Sequence, residues 1–175
     1  MGLEWSEQST MKIVVLSDTH MPKKAKHLPS IMVKDLETAD YIIHAGDWQT
    51  TEFFHELKQY APIIGVTGNV DSPELKTLLD KKEILRAGDF KIGVVHGHGT
   101  GKTTERRAVD TFMMDEVDCI VYGHSHIPVK KESNGILLFN PGSPTDKRRQ
   151  KDFSYGILTI GGKIEAEHIY FDDKS

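Results

Sequence analysis

Several short aliphatic runs in this chain are each followed by an aspartate, an asparagine or a histidine. The first three runs occupy residues 12–17, 41–45 and 62–67, and their β-branched residues are typical of buried strands. Ligands of open α/β sheets bind beside the carboxyl ends of the strands, so these polar residues are expected to meet at one edge. Two later runs, at 90–95 and 119–122, end in the same way. In chain order, the polar residues that follow the five runs are Asp18, His20, Asp47, Asn69, His96, His98, His124 and His126.

Helical patterns lie between the early strands, over residues 28–38 and 51–60. Alternating strands and helices predict a parallel sheet with helical crossovers. Further on, the chain has helical patterns at 73–79 and 104–114 and strand-like runs at 83–85, 90–95, 119–122, 129–131, 136–139, 155–160 and 164–171. Turn signals separate the last four runs and indicate antiparallel hairpins. We therefore predict a four-layer α/β/β/α sandwich of two mixed sheets, in which a parallel sheet is followed by an antiparallel one.

Composition limits the possible partners and the compartment. The chain has 175 residues, 22 Lys and Arg against 26 Asp and Glu, and no long basic run, which does not favour membranes or long nucleic acids. Its single cysteine, Cys119, lies in an apolar run and is expected in the core, which fits a reducing compartment. With no membrane-length apolar stretch or secretory signal, the cytosol is predicted. Residues 1–10 are predicted to be a disordered tail, and residues 11–175 a single domain.

The candidate ligands also predict a type of chemistry. Aspartate, asparagine and histidine without cysteine suit manganese, iron or zinc better than a soft metal or an all-oxygen calcium site. Without His98 the set has seven ligands, which are too many for one tetrahedral ion and natural for two. Two cations about 3.5 to 4 Å apart can activate a bridging water or hydroxide and stabilise an in-line displacement at phosphorus. The pattern therefore predicts a phosphoesterase that needs no serine or cysteine nucleophile.

These motifs resemble the calcineurin-like metallophosphoesterase superfamily, whose pattern is Asp-x-His, Gly-Asp, Gly-Asn-His-Asp/Glu, Gly-His and Gly-His-x-His. The resemblance covers Met11 to about Ser143 and is greatest to the small YfcE-like phosphodiesterase branch, whose fold the retromer scaffold subunit shares. It implies the same sandwich fold and two divalent ions, usually manganese, with nickel, zinc or iron as other possibilities. It places Asp18, His20 and His126 on one ion and Asn69, His96 and His124 on the other, with Asp47 bridging them.

The chain departs from the superfamily pattern at Val70, which occupies the position of a histidine. Valine can neither donate a proton to a leaving group nor hydrogen-bond a phosphate oxygen, so activity is expected to be weaker or limited to good leaving groups. Members of the small branch often lack this histidine too. His98 is the candidate substitute, as a proton donor or phosphate ligand, and a loop or supporting histidine is the alternative.

Arg148 lies in the loop-like stretch 140–152 and is a candidate for binding a substrate phosphate, with a solvated basic turn as the alternative. The predicted function is hydrolysis of small phosphoesters, with diesters favoured over monoesters. A catalytically weak binding module resembling the retromer subunit is the main alternative. A nuclease acting on long polymers is disfavoured by the acidic balance. Both a monomer and a homo-oligomer remain open.

Overall fold

The structure, a computed structural model, describes residues 9–175. The tail predicted over residues 1–10 therefore lies outside the described residues, apart from Ser9 and Thr10. The strands are β1 (Met11–Leu16), β2 (Tyr41–His44), β3 (Ile63–Gly65), β4 (Lys82–Ala87), β5 (Phe90–Val95), β6 (Cys119–Val121), β7 (Val129–Ser133), β8 (Ile136–Asn140), β9 (Phe153–Ile160) and β10 (Ile164–Phe171). The helices are α1 (Ser30–Leu36), α2 (Thr51–Lys58), α3 (Pro73–Leu78) and α4 (Thr104–Thr111). Within residues 9–175, every helix is too short or too polar to span a bilayer.

The strands form two mixed five-stranded sheets, as predicted. The first sheet has the order β10-β9-β1-β2-β3, and the second has the order β4-β5-β6-β8-β7. Strands β1, β2 and β3 run parallel, as do β5, β6 and β8. The C-terminal hairpins do not form a separate antiparallel sheet, contrary to our expectation. The β7–β8 hairpin joins the second sheet, whereas β9 pairs antiparallel with β1 and brings β10 into the first sheet.

The two sheets pack face to face around an aliphatic core. Val15 and Ile43 of the first sheet and Val94 and Val121 of the second belong to this core, and all are fully buried. Cys119 lies in the same core with a free, buried thiol, as predicted. Burying one such aliphatic side chain stabilises a fold by about 1.5–3 kcal/mol. Burial of this core therefore contributes strongly to the association of the two sheets.

Helices cover the outer faces of both sheets. Met32 of α1 and Phe53 of α2 pack on the first sheet, and Ala108 of α4 packs on the second together with Phe112. Glycine is required beneath Phe112, because a Cβ atom at Gly93 would lie 2.7 Å from its ring. These helices complete the predicted four layers.

The loops after the parallel strands of both sheets meet at one edge of the sandwich. The amide of Asp18, after β1, donates to the carbonyl of Gly46, after β2, at 2.9 Å. The amide of His124, after β6, donates to Oδ2 of Asp18 at 2.9 Å. The fold thereby brings residues far apart in sequence to one place.

Candidate metal centre

Six of the seven predicted ligands form two groups at this edge. One group is Asp18, His20 and His126, and the other is Asp47, His96 and His124. In each group the candidate ligand atoms lie within 4.8 Å of one another. The seventh residue, Asn69, places its Oδ1 atom 3.1 Å from Nε2 of His96 and so adjoins the second group.

Asp47 lies between the two groups. Its Oδ2 atom is 3.2 Å from Nε2 of His96 in its own group and 3.7 Å from Nε2 of His20 in the other. Asp18 also contacts both groups, because its Oδ1 atom lies 3.5 Å from Nε2 of His126 and 3.7 Å from Nε2 of His96. The groups are therefore adjacent, and the Asp47 carboxylate has the position of a bridge between them.

Backbone carbonyls orient two of the histidine rings. Nδ1 of His96 lies 2.8 Å from the carbonyl oxygen of Ala45, and Nδ1 of His126 lies 2.6 Å from that of Asp146. Since a carbonyl can only accept, each Nδ1 carries a proton and donates it. This arrangement directs Nε2 of both rings toward the carboxylates, as is usual for histidines that bind metals.

Several buried polar atoms in the centre lack a hydrogen-bond partner among the described residues. They are Oδ1 of Asp18 and Nε2 of both His20 and His126. Buried polar atoms in proteins are nearly always paired, so three unpaired atoms of one cluster call for a missing partner. A carboxylate oxygen and two imidazole nitrogens suit a divalent cation. The residues present therefore fit a metal.

Burial and mutual charge shift the titration of these groups. Burial raises the pKa of Asp18 to about 7, although His96 opposes this effect. Burial disfavours the charged form of His96, but the hydrogen bond to Asp47 and the charge of Asp18 raise its pKa to about 9. Burial lowers the pKa values of His124 and His126 to about 4. Those two rings are neutral at pH 7, as metal binding requires.

Five of the candidate ligands adopt left-handed backbone conformations. Their φ angles are 57° at Asp18, 45° at His20, 60° at Asp47, 70° at His124 and 63° at His126. For a residue with a side chain this conformation costs roughly 1–2 kcal/mol. Such strain persists where the surrounding structure imposes it, and it concentrates at functional sites.

Two glycines permit the close approach of the loops. A Cβ atom at Gly68 would lie 2.1 Å from Oδ1 of Asp47. A Cβ atom at Gly123 would lie 1.9 Å from Oγ of Ser17 and 2.8 Å from Oδ2 of Asp18. Any larger residue at either position would displace a carboxylate of the centre.

Asp71 organises the loop around Asp47, a role that the sequence analysis did not assign. Its Oδ2 atom accepts hydrogen bonds from the amides of Asp47 at 3.0 Å and Gly68 at 2.7 Å. Its Oδ1 atom accepts from the amide of Gln49 at 2.9 Å. The sequence did contain a signal for this role. Asp71 follows Gly68 and Asn69 closely, and an aspartate at this spacing can accept hydrogen bonds from the amides of a tight turn.

Replacing Asp71 with asparagine is expected to weaken both metal affinity and turnover by about 10- to 100-fold, as typically follows loss of a group that orients a ligand. Both carboxylate oxygens accept from amides, so the asparagine NH₂ group would face an N–H donor. Isothermal titration with manganese and steady-state kinetics measure the two effects. Asp172→Asn, an exposed aspartate, is the matched control. Equal affinities in the two variants would contradict the role given to Asp71.

Other supporting residues lack a sequence signal. Nδ1 of His44 accepts a hydrogen bond from the amide of Gly46 at 3.1 Å, and its ring stacks on Trp48. Oγ of Ser143 donates to the carbonyl of Asp18 at 2.9 Å. His44 is the last residue of β2 and belongs to the predicted run 41–45, so sequence alone does not distinguish it from the other buried residues of that strand.

The remaining predicted residues lie beside the centre. The ring of half-buried His98 is 5.4 Å from that of His96 and 6.4 Å from that of His124. Arg148 is exposed and lines a groove together with His20 and Val70. Their catalytic or binding roles stay predictions.

Comparison with known proteins agrees with this architecture. Residues 11–163 match the model of the calcineurin-like phosphoesterase superfamily domain. A probable metallophosphoesterase from Methanocaldococcus jannaschii is 37% identical over 94% of this chain and 83% of its own length. A phosphodiesterase from the same organism is 29% identical over 86% of this chain and 91% of its own. Vacuolar Protein Sorting 29 from Cryptosporidium parvum has the same fold, with a TM-score of 0.76, 23% identity and coverage of 94% and 99% of the two chains.

The family match extends over nearly all of the described residues and includes all seven candidate ligands. It confirms the resemblance inferred from the motifs. The chain therefore belongs to the calcineurin-like phosphoesterase superfamily and is a metal-dependent hydrolase of phosphoesters.

Proposed function

We propose that this hydrolase is a phosphodiesterase with a two-metal centre that acts on small phosphoesters. The observation that carries the proposal is the pair of adjacent ligand groups with Asp47 between them. Asp18, His20 and His126 would hold one ion, and Asn69, His96 and His124 the other. Manganese is the proposed ion, and nickel, zinc and iron are the alternatives to compare. The cytosol stays the predicted compartment.

When bound, two divalent ions would activate a water molecule and stabilise negative charge at phosphorus. The residues of the chain contribute position and charge. Asp18 and Asp47 would supply the negative charge that balances a pair of cations, while the carbonyls of Ala45 and Asp146 fix the rings of His96 and His126. The centre is open to a substrate on one side, because His20 and His124 are only half-buried.

One observation favours a diester substrate, and another favours catalysis over binding alone. The relative named as a phosphodiesterase matches this chain over most of its length. Val70 leaves the position of the superfamily histidine without a proton donor, which favours esters with good leaving groups. Vacuolar Protein Sorting 29 shares the fold, so a binding module stays the alternative. Seven intact ligands favour the hydrolase, because a binding module has no need for them.

The proposal is tested by removing metal from the protein, adding manganese in steps, and measuring hydrolysis of bis-p-nitrophenyl phosphate and p-nitrophenyl phosphate. We expect manganese-dependent cleavage, faster for the diester, that is lost in His124→Ala. Absence of turnover with any divalent ion would favour the binding module. Faster cleavage of the monoester would overturn the assignment as a diesterase.

His98 is expected to assist departure of poor leaving groups, because an imidazole beside His96 and His124 can donate a hydrogen bond to the leaving oxygen. His98→Ala should then lower kcat for diphenyl phosphate by about a hundredfold and kcat for bis-p-nitrophenyl phosphate much less. His55→Ala, an exposed helical histidine, is the control. Equal losses for the two diesters would remove His98 from the chemistry.

A further inference from the structure

A groove of about 360 Å³ adjoins the metal centre at His20. Its volume is in the range of small-ligand clefts. It is lined by His20, Lys23, Lys24, Gln49, Val70, Asp146 and Arg148. Of the seven candidate ligands, all of which the structure describes, only His20 lines this groove. A group bound there would therefore lie next to the metal centre and outside it.

The groove carries an excess of positive charge in a chain whose formal net charge is -4. In the described part of the chain, neither the Lys23 ammonium nor the Arg148 guanidinium has a hydrogen bond or a carboxylate partner. The carboxylate that lines the groove, Asp146, already lies 3.9 Å from Nζ of Lys24 and 3.9 Å from Nδ1 of His126. Two unpaired cations are thus left facing the groove.

Gln49 adds a neutral donor to these cations. Its Oε1 atom accepts a hydrogen bond from the amide of Lys23 at 2.9 Å. Because the backbone amide of Lys23 can only donate, the side-chain oxygen of Gln49 must face it. The side-chain NH₂ group of Gln49 is therefore free to donate to another group. The backbone of Gln49 is held at a φ of 98°, and its own amide donates to Asp71, which also orients Asp47. The position of Gln49 is therefore linked to that of the metal centre.

Val70 gives the groove an apolar side. Its side chain is 48% exposed, although its amide donates to Oδ1 of Asp47 at 3.0 Å. Because its amide is hydrogen-bonded to Asp47, Val70 lies beside the metal centre, where its exposed side chain is available to an organic substituent of an ester held at the metals. The groove thus combines an apolar contact with a set of donors.

We propose that the groove binds a second phosphate group of the substrate, carried on the organic substituent of the scissile ester. Lys23, Arg148 and Gln49 donate to its oxygens, and Val70 contacts the linker. Three donors, one of them a guanidinium that can bind two oxygens, suit the several oxygens and the charge of a phosphate. This inference rests on the proposed function, which places the scissile phosphate at the metals. The substrate class becomes small phosphodiesters that carry an additional phosphate.

Binding tests the subsite without any need for turnover. Isothermal titration in manganese compares thymidine 3′,5′-bisphosphate with thymidine 5′-monophosphate. We expect the wild-type protein to bind the bisphosphate about tenfold more tightly, and the Lys23→Gln/Arg148→Gln double variant to bind the two compounds about equally. Lys26→Gln removes a lysine that lines a different cavity and should keep the preference. Equal wild-type affinities, or a preference that survives in the double variant, would overturn the inference.

Turnover separates this inference from the proposed function. Thymidine 5′-(p-nitrophenyl phosphate) and its 3′-phosphorylated form have the same leaving group and differ by one phosphate. We expect the ratio of their kcat/KM values to favour the 3′-phosphorylated ester and to approach one in the double variant. Turnover without this preference would count against the subsite alone. A binding preference without turnover of either ester would support the subsite and count against the diesterase.

Discussion

Asparagine in place of Asp47 is expected to lower kcat/KM for bis-p-nitrophenyl phosphate by about a thousandfold or more, because the metals would supply most of the charge stabilisation at phosphorus. The Oδ2 atom of Asp47 lies within 3.7 Å of Nε2 of His20 and within 3.2 Å of Nε2 of His96, so one carboxylate serves both ligand groups. Asparagine keeps the size of the side chain, and its amide oxygen can still accept from the amide of Val70. The loss would therefore come from charge.

The matched control is Asp89→Asn, which removes an exposed aspartate that lines a cavity apart from the metal centre. It should keep wild-type activity. Isothermal titration should also show that Asp47→Asn binds manganese far more weakly than the control does. Retention of more than about a tenth of wild-type kcat/KM would contradict a bridging role for Asp47.

Saturating manganese is expected to raise the Tm of metal-stripped protein by about 8 to 16 °C. A ligand at a thousand times its Kd stabilises the native state by about 4 kcal/mol, and each kcal/mol raises the Tm of a domain of this size by about 2–4 °C. The physical source is the unpaired Oδ1 of fully buried Asp18, together with Nε2 of His20 and His126. In the unfolded chain these atoms are solvated and no longer held together, so the cation binds the native state preferentially.

Differential scanning calorimetry across a manganese series measures this shift. His55→Ala, which changes an exposed helical histidine, should respond as the wild-type protein does, and His20→Ala, which removes one of the three unpaired atoms, should respond much less. The shift should also grow with the logarithm of the manganese concentration. An equal shift in His20→Ala and the wild-type protein would place the stabilising ion elsewhere.

Much of the fold was predictable because its determinants are local. Short β-branched runs and helical periodicity indicated where the strands and helices lie, and polar residues after parallel strands indicated the edge that holds the centre. The partner of the β9–β10 hairpin was not predictable in the same way. A turn such as Gly161-Gly162 determines that two strands pair with each other, but only the long-range pairing of β9 with β1 determines the sheet that they join.

In the candidate site too, features set by local sequence were predictable and features set by long-range contacts were not. All seven predicted ligands lie together because each follows a strand, and that position is visible in the sequence. Asp71 and His44 support them through hydrogen bonds to backbone amides, which depend on how two loops approach in space. Arg148 was a candidate phosphate ligand from its loop alone, but Lys23 was not, and only the folded loops show that both cations line one groove. Candidate ligands that follow strands are thus easier to predict than the residues that position them.

The left-handed backbone of five candidate ligands has a consequence for the metal-free protein. At each of these positions glycine would relieve backbone strain of roughly 1–2 kcal/mol, and the five positions are Asp18, His20, Asp47, His124 and His126. The chain instead carries an aspartate or a histidine at all five. Without metal this strain has no compensating bond to a cation, so the same side chains that would hold the ions make the metal-free loops the most strained part of the sandwich.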